Sequence, residues 1–236
     1  MISVCIASYN GGKYIRRQLE SILIQLDQED EVVISDDGST DNTAAEVADL
    51  NDERVRFVSH APAGITANFE NAVRHAKGDF IFFADQDDEW FPGKVQTVLR
   101  TFATSGCAVV QHDAVVVDGN GVVIFPSWAE QRGIRKGIFL NLVKTCYIGC
   151  CMAFRRELLD FALPFRGNNN ACLHDEWVGF VAEHHGGICY IPEKLIKYCR
   201  HEGTVSQINR PGPIWKQVYK RIMIVWYLVC FTLSKK

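Results

Sequence analysis

The sequence predicts an α/β fold in which a mostly parallel central sheet is sandwiched by helices. Two observations lead to this prediction. Apolar residues make up 47% of the 236 positions, which is enough for a packed core. Over about the first 85 residues, short apolar runs alternate with stretches of helical periodicity. Strands and helices that alternate in this way form parallel sheets with right-handed crossovers.

The first half of the chain is predicted to hold four strands and three helices. Ile15, Leu19 and Ile22 recur at helical spacing, whereas Val32–Ile34 is a short apolar run that leads into acidic residues. Strands are therefore expected at residues 2–7, 32–35, 55–58 and 80–84, and helices at residues 13–26, 41–50 and 64–76.

The second half is predicted to mix helices with strands and to follow the first half without a linker. The turn Asp118–Gly121 lies between two valine-rich runs and indicates a hairpin. The segment 147–154 fits either a strand or a tightly packed stretch. Helices are expected at residues 93–104, 137–146, from 155 onward and at 174–185, strands at 107–112, 115–117, 122–125, 187–192 and 195–198, and a loop at 168–170.

Four carboxylates crowd the end of the fourth predicted strand, where the apolar run Phe80–Ala84 continues into Asp85, Asp87, Asp88 and Glu89. Like charges this close repel one another unless a positive group lies between them. A divalent cation with oxygen ligands is the simplest candidate. Glu89 is expected to be only the acid that starts the next helix. The alternative interpretation of the whole stretch is a solvated acidic turn.

Two further polar clusters follow the first and second predicted strands. Ser8, Tyr9 and Asn10 come after the first strand, and Asp36 and Asp37 come after the second. The carboxyl ends of parallel strands meet at one edge of the sheet, and open α/β sheets bind ligands at that edge. We therefore expect the three clusters to lie together and to form a ligand site.

Charge and cysteine spacing argue against two kinds of ligand, nucleic acid and zinc. The net charge is −3, which argues against a general nucleic-acid binder, because such proteins need a basic surface. The nine cysteines lie mostly inside apolar runs and form no Cys-x-x-Cys pair. This pattern favours reduced, buried thiols in a cytoplasmic protein and argues against a zinc site.

The polar clusters occur in an order and at spacings that resemble the inverting glycosyltransferases of family 2, which have the GT-A fold. The resemblance covers residues 2 to about 208. The form of residues 85–88 and the His-Asp before Trp177 are most similar to the bacterial rhamnosyltransferase-like subgroup, which builds surface polysaccharides. The matching stretches are Ala7–Asn10, Asp36–Asp41, Gly78–Asp79, Asp85–Asp88, His174–Trp177 and Tyr198–His201.

The resemblance implies a set of nucleotide-binding residues at the first two strand ends and on the third helix. In this interpretation Tyr9 stacks on the base, and Asp36 and Asp37 accept hydrogen bonds from base or ribose. A plain turn at residues 37–39 and a solvated Arg74 are the alternatives for two of these positions. The full set is Ala7, Tyr9, Asn10, Asp36, Asp37, Asn68, Arg74 and Asp85.

The resemblance also implies a metal site and a catalytic base. Asp87 and His201 would ligate Mn²⁺ or Mg²⁺. Asp175 would be the base, although an aspartate at the start of a helix can also be an N-cap. Relatives often have Tyr-Arg-x-His near the last motif, whereas here Cys199 takes the arginine position and Arg200 follows it. Contacts with the sugar or the acceptor are implied for Asp88, His174, Glu176 and Trp177.

The implied activity is transfer of a sugar from a UDP- or dTDP-sugar, dTDP-rhamnose included, to a glycan or a polyprenyl-linked glycan. The expected domain covers residues 1–208, with a nucleotide-sugar half at 1–90 and an acceptor half at 91–208, followed by a tail at 209–236. One alternative is a non-catalytic module that binds sugar nucleotides or glycans. Another is a nucleotidyltransferase, although that class needs a basic, glycine-rich phosphate loop.

The tail combines basic and apolar residues. Lys216, Lys220 and Arg221 stand among Trp215 and further apolar residues in segment 214–233. An amphipathic helix of this kind suits the surface of a membrane, here the inner face of the cell membrane. The alternatives are packing on the domain or on a second subunit in a homodimer. Nowhere does the sequence reach the roughly 20 apolar residues that a membrane-spanning helix needs.

Overall fold

The computed structural model describes residues 1–166, 172–201 and 214–234. The predicted loop at residues 168–170 and the predicted domain boundary near residue 208 lie outside these ranges.

Four parallel strands form one half of the central sheet, as the alternation of elements predicts. Their order across the sheet is β3-β2-β1-β4, so that the chain starts in the middle and moves outward in both directions. The strands are β1 (Ile2–Ser8), β2 (Glu31–Asp36), β3 (Val55–Ser59) and β4 (Phe80–Asp85).

The second half of the chain extends the same sheet beyond β4. Strand β8 joins the two halves, because it pairs antiparallel to β4 at Phe80–Phe82 and antiparallel to β6. The full order is β3-β2-β1-β4-β8-β6-β9-β5, with β7 paired to β6 in the predicted hairpin. The added strands are β5 (Glu89–Trp90), β6 (Val109–Asp118), β7 (Val123–Phe125), β8 (Met152–Arg155) and β9 (Ile188–Arg200).

The helices cover both faces of the sheet. The helices of the first half are α1 (Ile15–Leu23), α2 (Thr43–Ala48) and α3 (Ile65–His75). The later helices are α4 (Lys94–Thr104), α5 (Trp128–Arg132), α6 (Ile138–Val143), α7 (Leu159–Ala162), α8 (His174–His184) and α9 (Ile214–Ser234), with short 3-10 turns at Gly149–Cys151 and Arg156–Leu158.

Several second-half predictions were wrong in detail. Glu89 does not start a helix, because it lies in β5 and forms an ion pair with Lys197 at 3.0 Å. The predicted strands at residues 107–112 and 115–117 are one strand, β6. The predicted strands at residues 187–192 and 195–198 are also one strand, β9. Both of these long strands contain register shifts in their mutual pairing, which interrupt the local pattern that sequence reasoning uses.

The core forms two layers, one on each face of the sheet. Phe82 points into one layer and Phe83 into the other, as the alternation of side chains along a strand requires. Helices α1 and α4 cover the first layer with Leu19 and Val98, whereas α3, α8 and α9 cover the second. All nine cysteines are free thiols, and seven of them are buried, in agreement with the sequence-based expectation.

Helix α9 packs on the domain with one face and exposes apolar side chains on another. Ile224 and Phe231 are buried, and the Phe231 ring meets the Trp177 ring edge-on at 5.7 Å. No helix in the described ranges is long and apolar enough to cross a membrane. The exposed apolar side chains of α9 recur at helical spacing and are Trp215, Val218, Tyr219, Ile222, Val225, Trp226 and Val229.

Candidate active site

The carboxyl ends of β1, β2 and β4 lie side by side. Ala7 on β1 is opposite Asp85 on β4, and Ser8 on β1 is opposite Asp36 on β2. The three polar clusters that the sequence singles out therefore meet at one edge of the sheet.

Asp36 holds the loop after β2 in place. It is buried, and its carboxylate accepts hydrogen bonds from Ser8 Oγ at 3.1 Å and from the backbone N–H groups of Gly38 and Ser39 at 3.1 and 2.8 Å. The Ser39 hydroxyl donates a further bond at 2.5 Å. With four internal donors, Asp36 shapes the loop, and its neighbours are better placed to meet a ligand.

Asp37 bridges the same loop to the start of α3. Its two oxygens accept the backbone N–H groups of Ala63 and Gly64 at 2.7 and 2.9 Å. The side chain is partly exposed, and a carboxylate can accept about four hydrogen bonds, so Asp37 keeps acceptor capacity for a ligand.

Tyr9 and Gln86 connect the loops after β1 and β4. The Gln86 amide accepts the Tyr9 backbone N–H at 3.0 Å and donates to the Tyr9 carbonyl at 3.0 Å. The Tyr9 ring stays exposed, which leaves its face open for stacking. A Cβ at Gly11 would lie 2.1 Å from Gln86 Oε1, so a larger residue there would displace this amide from Tyr9. Asn10 donates its backbone N–H to Ser39 Oγ at 2.8 Å and so ties this loop to the loop after β2.

Asn68 of α3 contacts the carboxyl end of β1. It is buried, donates from Nδ2 to the Ser8 carbonyl at 2.9 Å, and has Oδ1 at 3.1 Å from His60 Nε2. Its contacts in the described chain hold the end of β1 in place.

The structure does not bring Arg74 to this edge. Arg74 lies in the last turn of α3 and forms an ion pair with Glu70 at 2.6 Å. Just beyond that turn, Gly78 donates its backbone N–H to Ser3 Oγ near the start of β1. Arg74 is therefore at the opposite end of the sheet from the polar clusters, and the predicted contact with a nucleotide has no support in this arrangement.

Asp85 and Asp87 are half-buried at the acidic end of β4. Burial, followed by the charges of Asp87 and Asp175, raises the pKa of Asp85 to about 7. Asp87 Oδ2 lies 2.7 Å from His201 Nε2, and the His201 ring stacks on Tyr14 with 4.5 Å between ring centres. The predicted pair of metal ligands, Asp87 and His201, is thus brought into direct contact from opposite halves of the chain.

Asp88 lies deeper than its neighbours. It is fully buried, and its Oδ1 accepts the Cys199 backbone N–H at 3.0 Å, which fixes β9 beside the acidic loop. Burial raises the pKa of Asp88 well above its usual range. Its side chain, Asp85 and the Cys150 thiol offer ligand atoms that lie within 4.8 Å of one another.

The residues present fit a divalent cation at the outer part of this cluster. Asp87 supplies a carboxylate oxygen, the ligand type that suits Mn²⁺ and Mg²⁺, and His201 supplies an imidazole nitrogen in contact with it. The inner group fits less well, because burial raises the pKa of the Cys150 thiol, and a neutral thiol is a poor ligand for a hard cation.

Asp175 opens helix α8 and is held by two backbone donors. Its Oδ1 accepts the Glu176 N–H at 2.8 Å and its Oδ2 accepts the Gly149 N–H at 3.2 Å. Burial raises the pKa of Asp175, although those N–H groups and the charge of Lys220 act in the opposite direction. Asp175 lines a cavity of about 220 Å³, together with Trp128, Arg132, Tyr198, Arg200, Glu176 and Lys220 among others.

The neighbours of Asp175 in the sequence have other surroundings. Glu176 is buried and forms an ion pair with Lys220 at 2.7 Å. His174 stacks on Phe69 at 3.9 Å, and burial lowers its pKa to about 3, so it stays neutral. Trp177 is buried and donates its indole N–H to a backbone carbonyl. Of these three, only Glu176 lines the cavity, and the sugar contacts predicted for His174 and Trp177 have no support in the described chain.

Sequence reasoning missed several residues of this site. Gln86 was read only as part of a motif, and its bonds reach Tyr9, 77 positions away. Trp128 and Arg132 come from α5, a helix that the sequence pattern does not show, and Lys220 comes from the tail. Apolar runs cannot show which polar side chains of distant elements share a cavity.

Comparison with known proteins places the chain in a family. The family model described as glycosyl transferase family 2 matches residues 3–161. An uncharacterised glycosyltransferase of Nostoc sp. is 30% identical over 171 residues, which are 69% of this chain and 53% of that protein.

Two further relatives carry more specific names. A UDP-Glc:alpha-D-GlcNAc-diphosphoundecaprenol beta-1,3-glucosyltransferase of Escherichia coli is 28% identical, over 70% of this chain and 64% of the relative. A dTDP-rhamnosyl transferase of Shigella flexneri is 27% identical, over 94% of this chain and 80% of the relative. The chain thus spans only 53% and 64% of the length of the Nostoc and Escherichia coli proteins.

Solved structures share the fold. TarS 1–349 of S. aureus in complex with UDP-GlcNAc superposes with a TM-score of 0.71 at 21% identity, covering 88% of this chain and 61% of that one. A mannosyltransferase of Pyrobaculum calidifontis in complex with GDP-Man and Mn²⁺ gives a TM-score of 0.63 at 20% identity, covering 86% of this chain and 57% of that one. The chain therefore belongs to glycosyl transferase family 2 and has the GT-A fold.

Proposed function

We propose that this chain transfers a sugar from a nucleoside diphosphate donor to a hydroxyl group of a glycan, with inversion at the anomeric carbon. One observation carries the proposal. Asp175 lines a cavity, and its Oδ2 accepts the N–H of Gly149, whose neighbour Cys150 has its thiol within 4.8 Å of the Asp85 carboxylate at the end of β4. A carboxylate that can accept a proton thus lies near the edge at which a donor would bind.

The reaction would be a single displacement. The acceptor oxygen forms a bond to the anomeric carbon while the bond from that carbon to the diphosphate oxygen breaks, and the nucleoside diphosphate leaves with the electron pair. The hydroxyl proton passes to Asp175. The N–H groups of Gly149 and Glu176 hold this carboxylate in one orientation. Burial raises its pKa, which makes it a stronger proton acceptor.

The loops after β1 and β2 would hold the nucleoside. The exposed Tyr9 ring would stack on the base, Asp37 would accept a hydrogen bond from base or ribose, and Asp85 would contact the ribose. Ala7, near the end of β1, and Asn10, in the loop that follows, would line the same pocket. A uridine or thymidine diphosphate fits this proposal, since the relatives described above are named for UDP-Glc and for a dTDP-rhamnosyl donor.

We propose Mn²⁺ or Mg²⁺ as the cofactor, held by Asp87 and His201. The ion would supply Lewis acidity that stabilises negative charge on the leaving diphosphate. The Mn²⁺ in the related mannosyltransferase complex supports this assignment. Asp88 would keep Asp87 and β9 in register through its bond to the Cys199 N–H. Arg200 lines the cavity and brings a positive charge to it.

The acceptor is proposed to be a glycan linked to a membrane lipid, as the name of the Escherichia coli relative indicates for that protein. An enzyme with such an acceptor would work at the inner face of the cell membrane. The exposed apolar side chains of α9, within residues 214–233, would then contact the bilayer. A homodimer that buries the same side chains is the competing arrangement.

The direct test is a panel of nucleotide sugars assayed for Mn²⁺-dependent transfer and hydrolysis, with Asp175→Asn as the comparison. Asparagine keeps a carbonyl oxygen as a hydrogen-bond acceptor but cannot serve as the base, so the turnover number should fall by about 10²- to 10⁴-fold while nucleotide binding is retained. Unchanged turnover would remove Asp175 as the base. Nucleotide binding without any turnover by the wild-type chain would instead support a non-catalytic binding module.

A further inference from the structure

An apolar groove lies between the second-half helices, next to the candidate active site. It has a volume of about 380 Å³ and is lined by Ile138 and Leu142 of α6, by His184 of α8, and by Val225, Leu228, Val229 and Phe231 of α9. Its walls are almost wholly apolar, so it offers a surface for a hydrocarbon chain rather than for a sugar.

A cluster of three cations, Arg132 of α5 and Lys220 and Arg221 of α9, lies on the elements that line this groove or the cavity of Asp175. Arg132 and Lys220 line the catalytic cavity. Arg221, the next residue of α9, donates from Nη2 to the carbonyl of Val143 at 3.3 Å, and Val143 is the last residue of α6. Burial, followed by the charge of Arg135, lowers the pKa of Arg132, and the charge of Arg221 acts in the same direction. These positive groups therefore lie close enough to repel one another.

The cluster has an unused donor and a surplus of positive charge. Arg221 Nη1 is buried and has no hydrogen-bond partner within the described ranges. Glu176 partly offsets the cluster through its ion pair with Lys220 at 2.7 Å. Residues 133–147 and 211–236 together contain eight lysines and arginines and no aspartate or glutamate. A buried guanidinium nitrogen without a partner is costly, and an anionic ligand would satisfy it.

We propose that Arg132 and Arg221 bind the phosphate group of a lipid whose hydrocarbon chain lies in the groove between α6 and α9. The order of residues along α9 matches the order of sugar, phosphate and hydrocarbon chain in such a ligand. Lys220 borders the catalytic cavity, Arg221 follows, and Val225 to Phe231 line the groove. At 1.5 Å per residue, the step from residue 221 to residue 229 covers about 12 Å along the helix axis.

An amphiphilic ligand explains features that a protein partner leaves unexplained. The planar, forked guanidinium groups of two arginines match the oxygens of a phosphate or diphosphate. A second copy of this chain would bring the same excess of cations to the contact, and like charges would oppose the association. The inference rests on the proposed function only for the sugar end of the ligand, which would reach Asp175. The phosphate and chain contacts stand without it.

The test measures binding of farnesyl diphosphate to the full chain, with a chelator present and no nucleotide, by isothermal titration calorimetry. Farnesol and inorganic diphosphate, each lacking one half of the probe, should bind at least about tenfold more weakly. Arg221→Gln and Val229→Asp should each weaken binding of farnesyl diphosphate about tenfold or more. The control Arg100→Gln, an exposed arginine on α4, should leave it unchanged. Melting temperatures confirm that each variant is folded.

Several results would overturn the proposal. Equal affinity for farnesyl diphosphate in Arg221→Gln and in wild type would exclude the cation cluster. Displacement of the probe by UDP or dTDP would place it in the donor site instead. A parallel arm adds phosphatidylglycerol vesicles to distinguish two sources of the phosphate. If the arginines bind the headgroup of a bilayer lipid, the vesicles should compete with farnesyl diphosphate, and the proposal fails. If they bind the phosphate of a single lipid ligand, the vesicles should leave binding of farnesyl diphosphate unchanged. Hydrolysis of the nucleotide sugar without binding of farnesyl diphosphate would contradict only this inference. Binding of farnesyl diphosphate without turnover of any nucleotide sugar would contradict only the proposed transfer.

Discussion

At the scale of single residues, Asp175 depends on two segments that are far apart in the sequence. One oxygen is held by the N–H at the start of α8, and the other by the N–H of Gly149 in the turn before β8. The turn is itself anchored, since the buried Lys94 donates from Nζ to the Cys150 carbonyl at 2.9 Å. The geometry of the proposed base is therefore set by residues that have no part in the proposed proton transfer.

Gly149→Ala should displace the base without touching the donor site. A Cβ at this position would lie 2.8 Å from His174 Nε2 and 3.4 Å from the Asp175 Cβ, so the turn or the helix must shift. A shift of about 1 Å can cost about 100-fold in rate, and we expect a loss of turnover number of this order with little change in the KM for the donor. Steady-state kinetics measure it. Gly106→Ala is the matched control, because its Cβ would meet no atom within 4 Å. Equal kinetics for the two variants would contradict this role of Gly149.

The pH dependence of transfer should report the surroundings of Asp175. As the proposed base, Asp175 must be ionised to act, and burial raises its pKa above the usual value of 3.8. Activity should therefore be lost, as the pH falls, at a higher pH than for an ordinary aspartate. Lys220 lowers this pKa, so Lys220→Met should move the acid limb of the kcat/KM profile to still higher pH. An acid limb at the same pH in both forms would show that Lys220 does not act on the base.

At the scale of elements, α9 has two faces with different surroundings. Ile224 and Phe231 are buried against the domain, whereas Ile222, Trp226 and their neighbours at helical spacing are exposed. The sequence predicted an amphipathic helix here. It could not predict which apolar residues pack on the domain and which stay exposed, because both sets recur at helical spacing. Lys220, on the same helix, reaches the catalytic cavity.

Glutamate at the exposed face of α9 should weaken membrane binding. We expect Ile222→Glu and Trp226→Glu to reduce co-sedimentation with vesicles that contain anionic lipid, since each removes apolar area and adds repulsion. Ile24→Glu is the matched control, because Ile24 is 77% exposed at the end of α1, which covers the opposite layer of the core. If the wild-type chain does not sediment with vesicles and elutes as a dimer that the α9 variants dissociate, this face is a subunit interface.

At the scale of the whole molecule, the two halves of the sheet were predictable to different degrees. The parallel pairing of the four strands of the first half follows from the alternation of apolar runs with helical stretches, whereas their order, β3-β2-β1-β4, was not predicted. The carboxylates Asp36, Asp37 and Asp85 were found because they directly follow such runs. The path of β9, which brings His201 to Asp87, depends on pairing with β6 and on register shifts that carry no local signal. The resemblance to a family, rather than periodicity, pointed to His201.

A bound nucleotide and metal should stabilise the whole domain. Donor loops from β1, β2 and β4 and His201 from β9 would contact one ligand, and a ligand that binds only the folded state at 100 times its Kd adds about 2.7 kcal/mol. For a chain of this size the melting temperature should rise by roughly 5–10 °C. Thermal unfolding with UDP or dTDP and Mn²⁺, with each component alone as the control, checks this. A rise with Mn²⁺ alone that nucleotide does not increase would contradict joint binding.

The antiparallel pairing of β4 with β8 determines whether residues 1–90, the predicted nucleotide-sugar half, could fold alone. In the intact chain, Phe80–Phe82 of β4 pair with residues 153–155 of β8, so the apolar β4 lies inside the sheet. A fragment that ended at residue 90 would leave β4 as an open, unpaired edge with exposed phenylalanines beside it. Such edges template the association of strands between molecules. The first half, although it carries most of the predicted nucleotide residues, would therefore aggregate rather than act as an independent nucleotide-binding domain.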